Sequence, residues 1–298
     1  MSFSSETKSE LAKIFVQREC CARAELCAMM MLSQECTRER MTFCTDNSDV
    51  SDCFSGLILR CFDIGATPTE RRRGRAVFYT TSLSGEIWQK IFDGLFPGGE
   101  KDIRKAAGGC GKCPEAFISG AFLACGFAGD PEKQSNIGFT LEEPDTAVDF
   151  ALLIEEKFGC LPKMSVRKGK QTVFFRFGEN VIDLLTYMGA QRAAFAEMNG
   201  QAIRSIRNKE NRQTNFEVAN ISKTANASSV QTEAVVGLKK LGKFGLLPSA
   251  LQRTANLREE NPTATLSELC TLEDTPVSRS QESKRLRKIV DFYNFHKK

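Results

Sequence analysis

The residues of this chain that could carry chemistry are few in kind. Histidine occurs once, at His296 near the end, and without an imidazole elsewhere neither a Ser/His/Asp nor a Cys/His arrangement has its general base. Gly111-Lys112 has the look of a phosphate-cradling loop, yet Ala106 stands where the first glycine belongs and Cys113 where a Ser or Thr would hold magnesium. No dinucleotide-binding glycine fingerprint follows a strand. Cysteine, by contrast, occurs 12 times. The chain opens on polar and acidic residues, Met1 to Glu10, with no secretory segment, so free thiols in a reducing compartment are expected. Cys27, Cys61 and Cys125 sit in apolar surroundings, where cysteine serves as a small hydrophobe. Cys110-Gly-Lys-Cys113 has C-x-x-C spacing, but a zinc site needs four ligands and the other close pair, Cys20-Cys21, lacks that spacing. Ordinary buried or surface thiols are expected, with no metal, no cofactor and no catalytic residue.

The remaining chemistry is that of cations. From Ala202 to Lys298 there are 17 Lys and Arg against 10 Asp and Glu, a balance of +7 that leaves −3 for the rest of a chain of net charge +4. A basic C-terminal third points to a polyanionic partner. Thr265 to Leu272 reads as a short helix, Glu273-Asp-Thr-Pro276 as a break, and Ser278 to Ile289 as a basic helix with a serine cap. With Val277, Leu286 and Ile289 facing in, this is the pattern of a helix-turn-helix. Ser278, Arg279, Ser280, Lys284, Arg285, Arg287 and Lys288 then become the candidate contacts to double-stranded DNA, phosphates and base edges together. A solvated terminal helix has the same composition, and the spacing alone leaves both readings open.

The elements that must position this tail are organised around Phe117 to Gly126, an almost wholly apolar stretch in which Gly120, Ala121 and Ala124 would make a flat helix face. A similar stretch, Ala24 to Gln34, occurs 92 residues earlier, with Ala28 at the position of Gly120 and Cys21 at that of Cys113. The repeat continues downstream: Arg73-Gly74-Arg75 running into Val77-Phe78-Tyr79 is echoed by Lys168-Gly169-Lys170 running into Val173-Phe174-Phe175. Each basic turn and strand is followed by an apolar-periodic helix, from Ser84 in one copy and from Glu179 in the other. A duplicated α/β unit is expected, with copies at about residues 20–95 and 113–190 meeting through the Ala28 and Gly120 helices at a pseudo-two-fold axis.

Taken in order, residues 1–19 should hold a short amphipathic helix entered through Ser9-Glu10, with Leu11, Ile14 and Phe15 covering the first copy. Residues 37–53 read as a strand with polar turns, Asp52 to Ile64 as a helix, and Asp145 to Phe158 as its counterpart. Pro97 to Gly109 marks the connector, and Trp88 reads as core rather than as a stacking platform. Arg192 to Ala225 is long, polar and helical, either a solvated linker or a second nucleic-acid surface. The apolar period resumes at Ser228, breaks from Gly242 to Pro248, and gives a further helix from Leu251 to Glu260. The longest apolar run, Ile118 to Gly129, is too short to cross a bilayer, so no membrane association and a soluble, cytoplasmic protein are expected.

The Phe117–Gly126 helix resembles the signature helix of the LAGLIDADG homing endonucleases, in which two such helices pack centrally and two sheets grip DNA. In that family an acidic residue before the final glycine of each motif binds the catalytic divalent metal; the matching positions here are Ser33 and Cys125, which lack the hard oxygen that magnesium prefers. A fuller resemblance rests on Met1 to Ala12, Cys20 to Leu26, Phe122-Leu-Ala with Asp130-Pro-Glu-Lys133, Arg207-Asn208 through Asn211-Arg212, Glu217 to Asn220, and Arg285-Leu-Arg-Lys-Ile289. These blocks are similar to the WhiA family of bacterial DNA-binding regulators, a cleavage-dead LAGLIDADG-like domain joined to a C-terminal helix-turn-helix. The resemblance implies sequence-specific transcriptional regulation at promoters, linked to sporulation or to cell division and chromosome segregation. It departs in the recognition segment, where Ser278, Arg279 and Ser280 match the family but Gln281, Glu282, Ser283 and Lys284 do not. Glu282 would there either accept from a cytosine amino group or repel phosphate.

The expected architecture is therefore α+β: a duplicated αββαββα saddle in residues 1–190, a helical linker over 191–227, and an all-α helix-turn-helix domain over 228–298. Two rivals follow from the same residues. An active endonuclease would nick DNA with magnesium, and a scaffold would use the saddle, with its slight negative charge, to hold a protein of the transcription machinery.

Overall fold

The small residues of the two apolar stretches become two helices that the first half of the molecule is built on. In the computed structural model, which describes residues 2–74, 76–176 and 178–297, these are α2 (Glu19–Met31) and α6 (Cys113–Cys125). Nearly every side chain of both is buried, which suits helices that are apolar all round. They approach most tightly at Gly120, where a Cβ would stand 2.3 Å from the carbonyl oxygen of Glu25. Only hydrogen fits there. Their starts lie together, with Cys21 Sγ and Cys113 Sγ 3.8 Å apart, and their ends line one cavity through Ser33 and Cys125, so the pair runs in the same direction.

Each central helix opens one copy of the repeat. The first continues through β1 (Glu35–Cys36), β2 (Arg40–Thr45), α3 (Ser48–Phe62), β3 (Thr69–Arg73), β4 (Ala76–Ser84) and α4 (Gly85–Leu95). The second runs through β5 (Gly126–Ala128), β6 (Ile137–Leu141), α7 (Pro144–Phe158), β7 (Lys163–Arg167), β8 (Lys170–Phe175) and α8 (Gly178–Met188). The sheet orders are β1-β2-β4-β3 and β5-β6-β8-β7, antiparallel throughout, so the two copies share one topology. The expected αββαββα duplication is what the chain forms.

Alternation sets which sheet face is buried: Met41, Phe43 and Thr45 in β2 and Ile137, Phe139 and Leu141 in β6 are covered, with Phe43 stacked on Phe54 of α3. The edge strands β3 and β7 are exposed along their whole length and carry Arg71, Arg72, Arg73, Lys163 and Arg167. Charged side chains on an edge oppose pairing with another chain. The second basic turn closes with Lys168 at φ 52° and Gly169 at φ 80°, the left-handed pair a two-residue hairpin needs. Arg75 of the first basic turn lies outside the described residues. Trp88 is fully buried and donates its indole N–H to Thr37 O at 2.9 Å, as a core residue should.

Three local expectations are corrected. The N-terminal helix α1 (Phe3–Ala12) is capped by Ser2, whose hydroxyl accepts from Ser5 N–H, and it ends before Ile14 and Phe15, which are exposed. Leu11 is buried as expected, with Thr7 as the other buried residue of the helix. Helix α3 starts at Ser48, because Asn47 caps it by accepting from Val50 N–H while donating to Ser5 O and Ser9 Oγ of α1. The connector is partly helical, with a 3-10 turn at Pro97–Gly99 and α5 (Ile103–Ala107), capped by Asp102.

Gly189, at φ 95°, separates α8 from α9 (Gln191–Lys240), a single 50-residue helix. The polar stretch and the later apolar one are thus one element. The chain forms two compact units, Met1–Ile206 and Arg207–Lys298. In the second unit the end of α9 packs with α10 (Ser249–Glu260), α11 (Leu266–Leu272) and α12 (Arg279–Lys297) around Val235, Leu238, Leu247, Ala255, Leu269, Leu286 and Ile289. Among the described residues no helix is long and apolar enough to cross a membrane.

Candidate nucleic-acid interface

The cations of the C-terminal unit are presented by a short helix, a turn and a second helix. Helix α11 begins with a capping box: Glu268 N–H donates to Thr265 Oγ1, and the Glu268 carboxylate accepts from Thr265 N–H at 2.7 Å. Helix α12 begins with the same device built from Ser278 and Gln281, whose N–H donates to the serine hydroxyl while its side-chain oxygen accepts from Ser278 N–H at 3.0 Å. Gln281, one of the residues that departs from the family pattern, is thereby committed to the cap.

The turn between them is held from below by charge. Glu273, 1% exposed at its side chain, receives Thr254 Oγ1 at 2.8 Å, Arg285 Nη1 at 3.1 Å and Arg253 Nε at 3.2 Å. Arg253 also pairs with Asp274. Glu282 is fully buried one layer deeper, 3.8 Å from Arg285 and within reach of Thr254 Oγ1 at 3.4 Å. Burial raises its pKa and so does Glu273, while Arg285, Thr254 and Arg258 oppose the shift. Arg258, 2% exposed, donates to Ala264 O at 2.6 Å and to Ser228 Oγ and Asn261 O, and burial works against its charge while Glu282 supports it. Four helices are tied to one another through these groups.

This geometry sorts the sequence-predicted residues. Arg285 does not face outward as the basic block suggests; its guanidinium turns inward onto Glu273 because a fully buried carboxylate there needs a cation. Glu282 is neither a base contact nor a phosphate repellent, since it is neither exposed nor near the outer face. Val277 is half-buried, and Leu286 and Ile289 are buried as expected. Ser278, Arg279, Ser280, Lys284, Arg287 and Lys288 are all exposed, and the four cations among them make no ion pair within the described residues. At about 100° per residue, Ser280, Lys284, Arg287 and Lys288 share the face opposite Leu286 and Ile289. An exposed row of Lys and Arg at i, i+3 and i+4 from Lys284, with the Ser280 hydroxyl one turn before it, on a helix held rigidly by its other side, can neutralise phosphates and reach base edges. The bracing roles of Arg253, Thr254, Arg258 and Glu273 have no signature in the sequence beyond the tight Glu273-Asp274-Thr275-Pro276 turn, which hints that something pins this segment.

The matching positions at the ends of the central helices, Ser33 and Cys125, are not carboxylates. Ser33 Oγ is spent on Met30 O at 2.7 Å and Glu35 O at 3.0 Å, and Cys125 is half-buried with its thiol against Ala121 O. Burial pushes the Cys125 thiol up to about 12, so it stays neutral. Three acids line this cavity: Glu35 pairs with Arg40 at 2.6 Å, Glu142 pairs with Lys170 at 2.6 Å, and Glu143 accepts from Thr146 Oγ1 at 3.1 Å. Among the described residues the side chains grouped closely enough to hold a metal are Cys20, Cys21, Cys110 and Cys113, at the opposite ends of the same helices.

Two family models match the chain, the WhiA LAGLIDADG-like domain over residues 114–207 and the WhiA C-terminal HTH domain over residues 211–293. A protein described as "Probable cell division protein WhiA" from Thermoanaerobacter pseudethanolicus is 33% identical over 313 residues, covering 98% of this chain and 96% of that protein. Among solved structures, the full-length DUF199/WhiA crystal structure from Thermatoga maritima has a TM-score of 0.55 at 19% identity, covering 99% of this chain and 98% of that one. The crystal structure of the N-terminal LAGLIDADG domain of DUF199/WhiA has a TM-score of 0.51 at 17% identity, over 64% of this chain and 94% of that one. The doubled unit is therefore a LAGLIDADG-like fold and the C-terminal unit carries the helix-turn-helix, and the chain belongs to the WhiA family.

Proposed function

We propose that the chain is a sequence-specific DNA-binding transcription regulator that acts on promoter DNA in the cytoplasm, at the nucleoid, in cell division, chromosome segregation or sporulation, and that it does not cleave DNA. The observation that carries this reading is the exposed Lys284-Arg287-Lys288 row of α12, with Ser280 on the same face and Arg279 at the helix start, set against a buried network that fixes the helix. Phosphate contacts supply affinity that falls steeply with salt, and base-edge contacts supply specificity. The division of labour proposed is a saddle in residues 1–190, a linker in 191–227 and the DNA reader in 228–298. Absence of cleavage is supported by Ser33 and Cys125, neither of which offers the carboxylate oxygen that a metal-assisted phosphodiester hydrolysis requires.

The test uses genomic fragments retained by the full-length protein. Arg287→Ala and Lys288→Ala should weaken their binding while the fold is kept, and supercoiled plasmid should stay intact with magnesium or manganese. Unchanged affinity in both variants would reject the reader, and nicking that follows the protein through purification would reject the loss of nuclease activity.

A second reading concerns the saddle alone. Residues 1–201 carry −3 against +7 for the rest, and on the two edge strands and their turns Arg72 and Lys170 are already paired with Glu70 and Glu142. A unit of slight net negative charge fits a protein of the transcription machinery better than it fits DNA. Crosslinking to DNA confined to residues after 206 would support this; crosslinks throughout β3 and β7 would oppose it.

A further inference from the structure

The two cysteine pairs, linked in the sequence only through Cys21 standing at the repeat position of Cys113, meet in space. Cys20 and Cys21 occupy the first turn of α2, Cys113 is the first residue of α6, and Cys110 precedes it by one tight turn closed by Cys113 N–H donating to Cys110 O at 2.9 Å. All four Sγ atoms lie within 4.8 Å of one another. Three of the separations are 3.5 Å for Cys21–Cys110, 3.8 Å for Cys21–Cys113 and 3.6 Å for Cys110–Cys113. A tetrahedron with zinc–sulfur bonds of about 2.3 Å has its sulfurs about 3.8 Å apart. We propose that Cys20, Cys21, Cys110 and Cys113 bind one zinc ion as a four-thiolate structural site that ties the starts of the two central helices together.

The surroundings are those a thiolate-bound dication needs. Side chains tilt toward the N-terminus of a helix, so the cysteines of α2 and α6 lean to the same end. The positive ends of both helix dipoles then face the negative charge that four thiolates and one zinc would carry. Backbone N–H groups donate to sulfur, Cys110 N–H to Cys113 Sγ at 3.1 Å and Lys112 N–H to the Cys110 thiol. Gly109 leaves room for the cluster: a Cβ there would stand 2.9 Å from Cys113 Sγ and 3.4 Å from the Cys20 Cβ. Cys20 is exposed and Cys110 half-buried, which gives the ion a way in.

Binding is a ligand exchange without redox chemistry. Zinc gives up bound water, forms four Zn–S bonds, and each thiol that binds releases its proton to the solvent. Zinc is favoured over ferrous iron in the same sulfur tetrahedron by the general order of divalent affinities. A Cys110/Cys113 redox pair would leave the convergence of Cys20 and Cys21 without a purpose. The site lies at the far end of the central helices from Ser33 and Cys125, about 20 Å away for helices of this length, and it does not depend on the proposed DNA-binding role.

The full-length protein, purified without a histidine tag under reducing conditions, should contain about one zinc per chain by mass spectrometry of the metal. After chelation, added cobalt(II) should give the visible bands of a tetrahedral thiolate complex. The double variant Cys20→Ser, Cys110→Ser alters only the two more accessible ligands, so its helical circular dichroism should persist while both metal signals are lost; Cys160→Ser should keep them. Absence of zinc together with absence of the cobalt bands would overturn the site, as would zinc content that survives in the double variant. A chain that instead holds one iron, or a Cys110–Cys113 disulfide that forms in preference to the zinc complex, would overturn the zinc assignment.

Discussion

The Arg285 guanidinium reaches back from α12 to the Glu273 carboxylate in the preceding turn, Nη1 to Oε1 at 3.1 Å. Two neighbouring arginines in one basic block therefore have different fates: Arg285 braces the helix and Arg287 is left to solvent. The angle at which α12 presents its outer face follows from that brace.

Arg285→Ala should accordingly act on stability. Removing the cation leaves Glu273 and Glu282 buried beside each other with less compensation, a loss on the order of 3 kcal/mol for the C-terminal unit. Arg287→Ala, at an exposed site, should change stability by less than about 0.5 kcal/mol. Urea unfolding followed by circular dichroism separates the two; equal effects would mean that the ion pair does not brace the turn.

Gly120→Ala should damage the central helix pair. Its Cβ would lie 2.3 Å from Glu25 O and 3.0 Å from Glu25 C, backbone atoms that cannot swing aside. A cost of about 3 kcal/mol or more is expected, read as a lower melting temperature or insoluble protein. Gly56→Ala, where a Cβ meets nothing within 4 Å, is the matched control and should be tolerated or mildly stabilising.

Glu25 gives the saddle a pH dependence. Burial pushes its carboxyl up to about 8 from an ordinary 4.5, with Arg60 opposing. Between those values the native chain holds a proton that the unfolded chain has released, so the stability present below about 4.5 is lost as the pH rises through about 8. Glu25→Gln cannot ionise, and its melting temperature should exceed that of the unsubstituted chain at pH 8 to 9 by more than it does at pH 5. A difference that is constant over this range would place the charge of Glu25 elsewhere.

The doubled fold is legible in the sequence because its signals are local. Basic two-residue turns before β-rich strands and small residues at helical spacing repeat at nearly one interval, and each needs only its own neighbours to act. What is not legible depends on pairs distant in sequence. The repeat puts Cys21 and Cys113 at equivalent positions 92 apart, but Cys20 and Cys110 have no counterparts in it, and the meeting of all four thiols shows only when α2 and α6 lie side by side. Arg285 and Glu273 are 12 apart, but a basic block reads as exposed unless a buried acid is known to wait beneath it. Helix α9 reads as two segments because its polarity changes midway, whereas its backbone meets no proline from Gln191 to Lys240 and has no reason to break.

The central claim is that DNA is gripped by the exposed face of α12. Fluorescence anisotropy on a retained genomic fragment, titrated across a series of salt concentrations, tests it with the full-length protein and the variant Lys284→Ala, Arg287→Ala, Lys288→Ala. The account predicts weaker binding by at least about tenfold and a salt slope reduced by about 0.9 for each phosphate no longer neutralised, with the melting temperature unchanged. An equal affinity and an equal slope in the folded variant would contradict it.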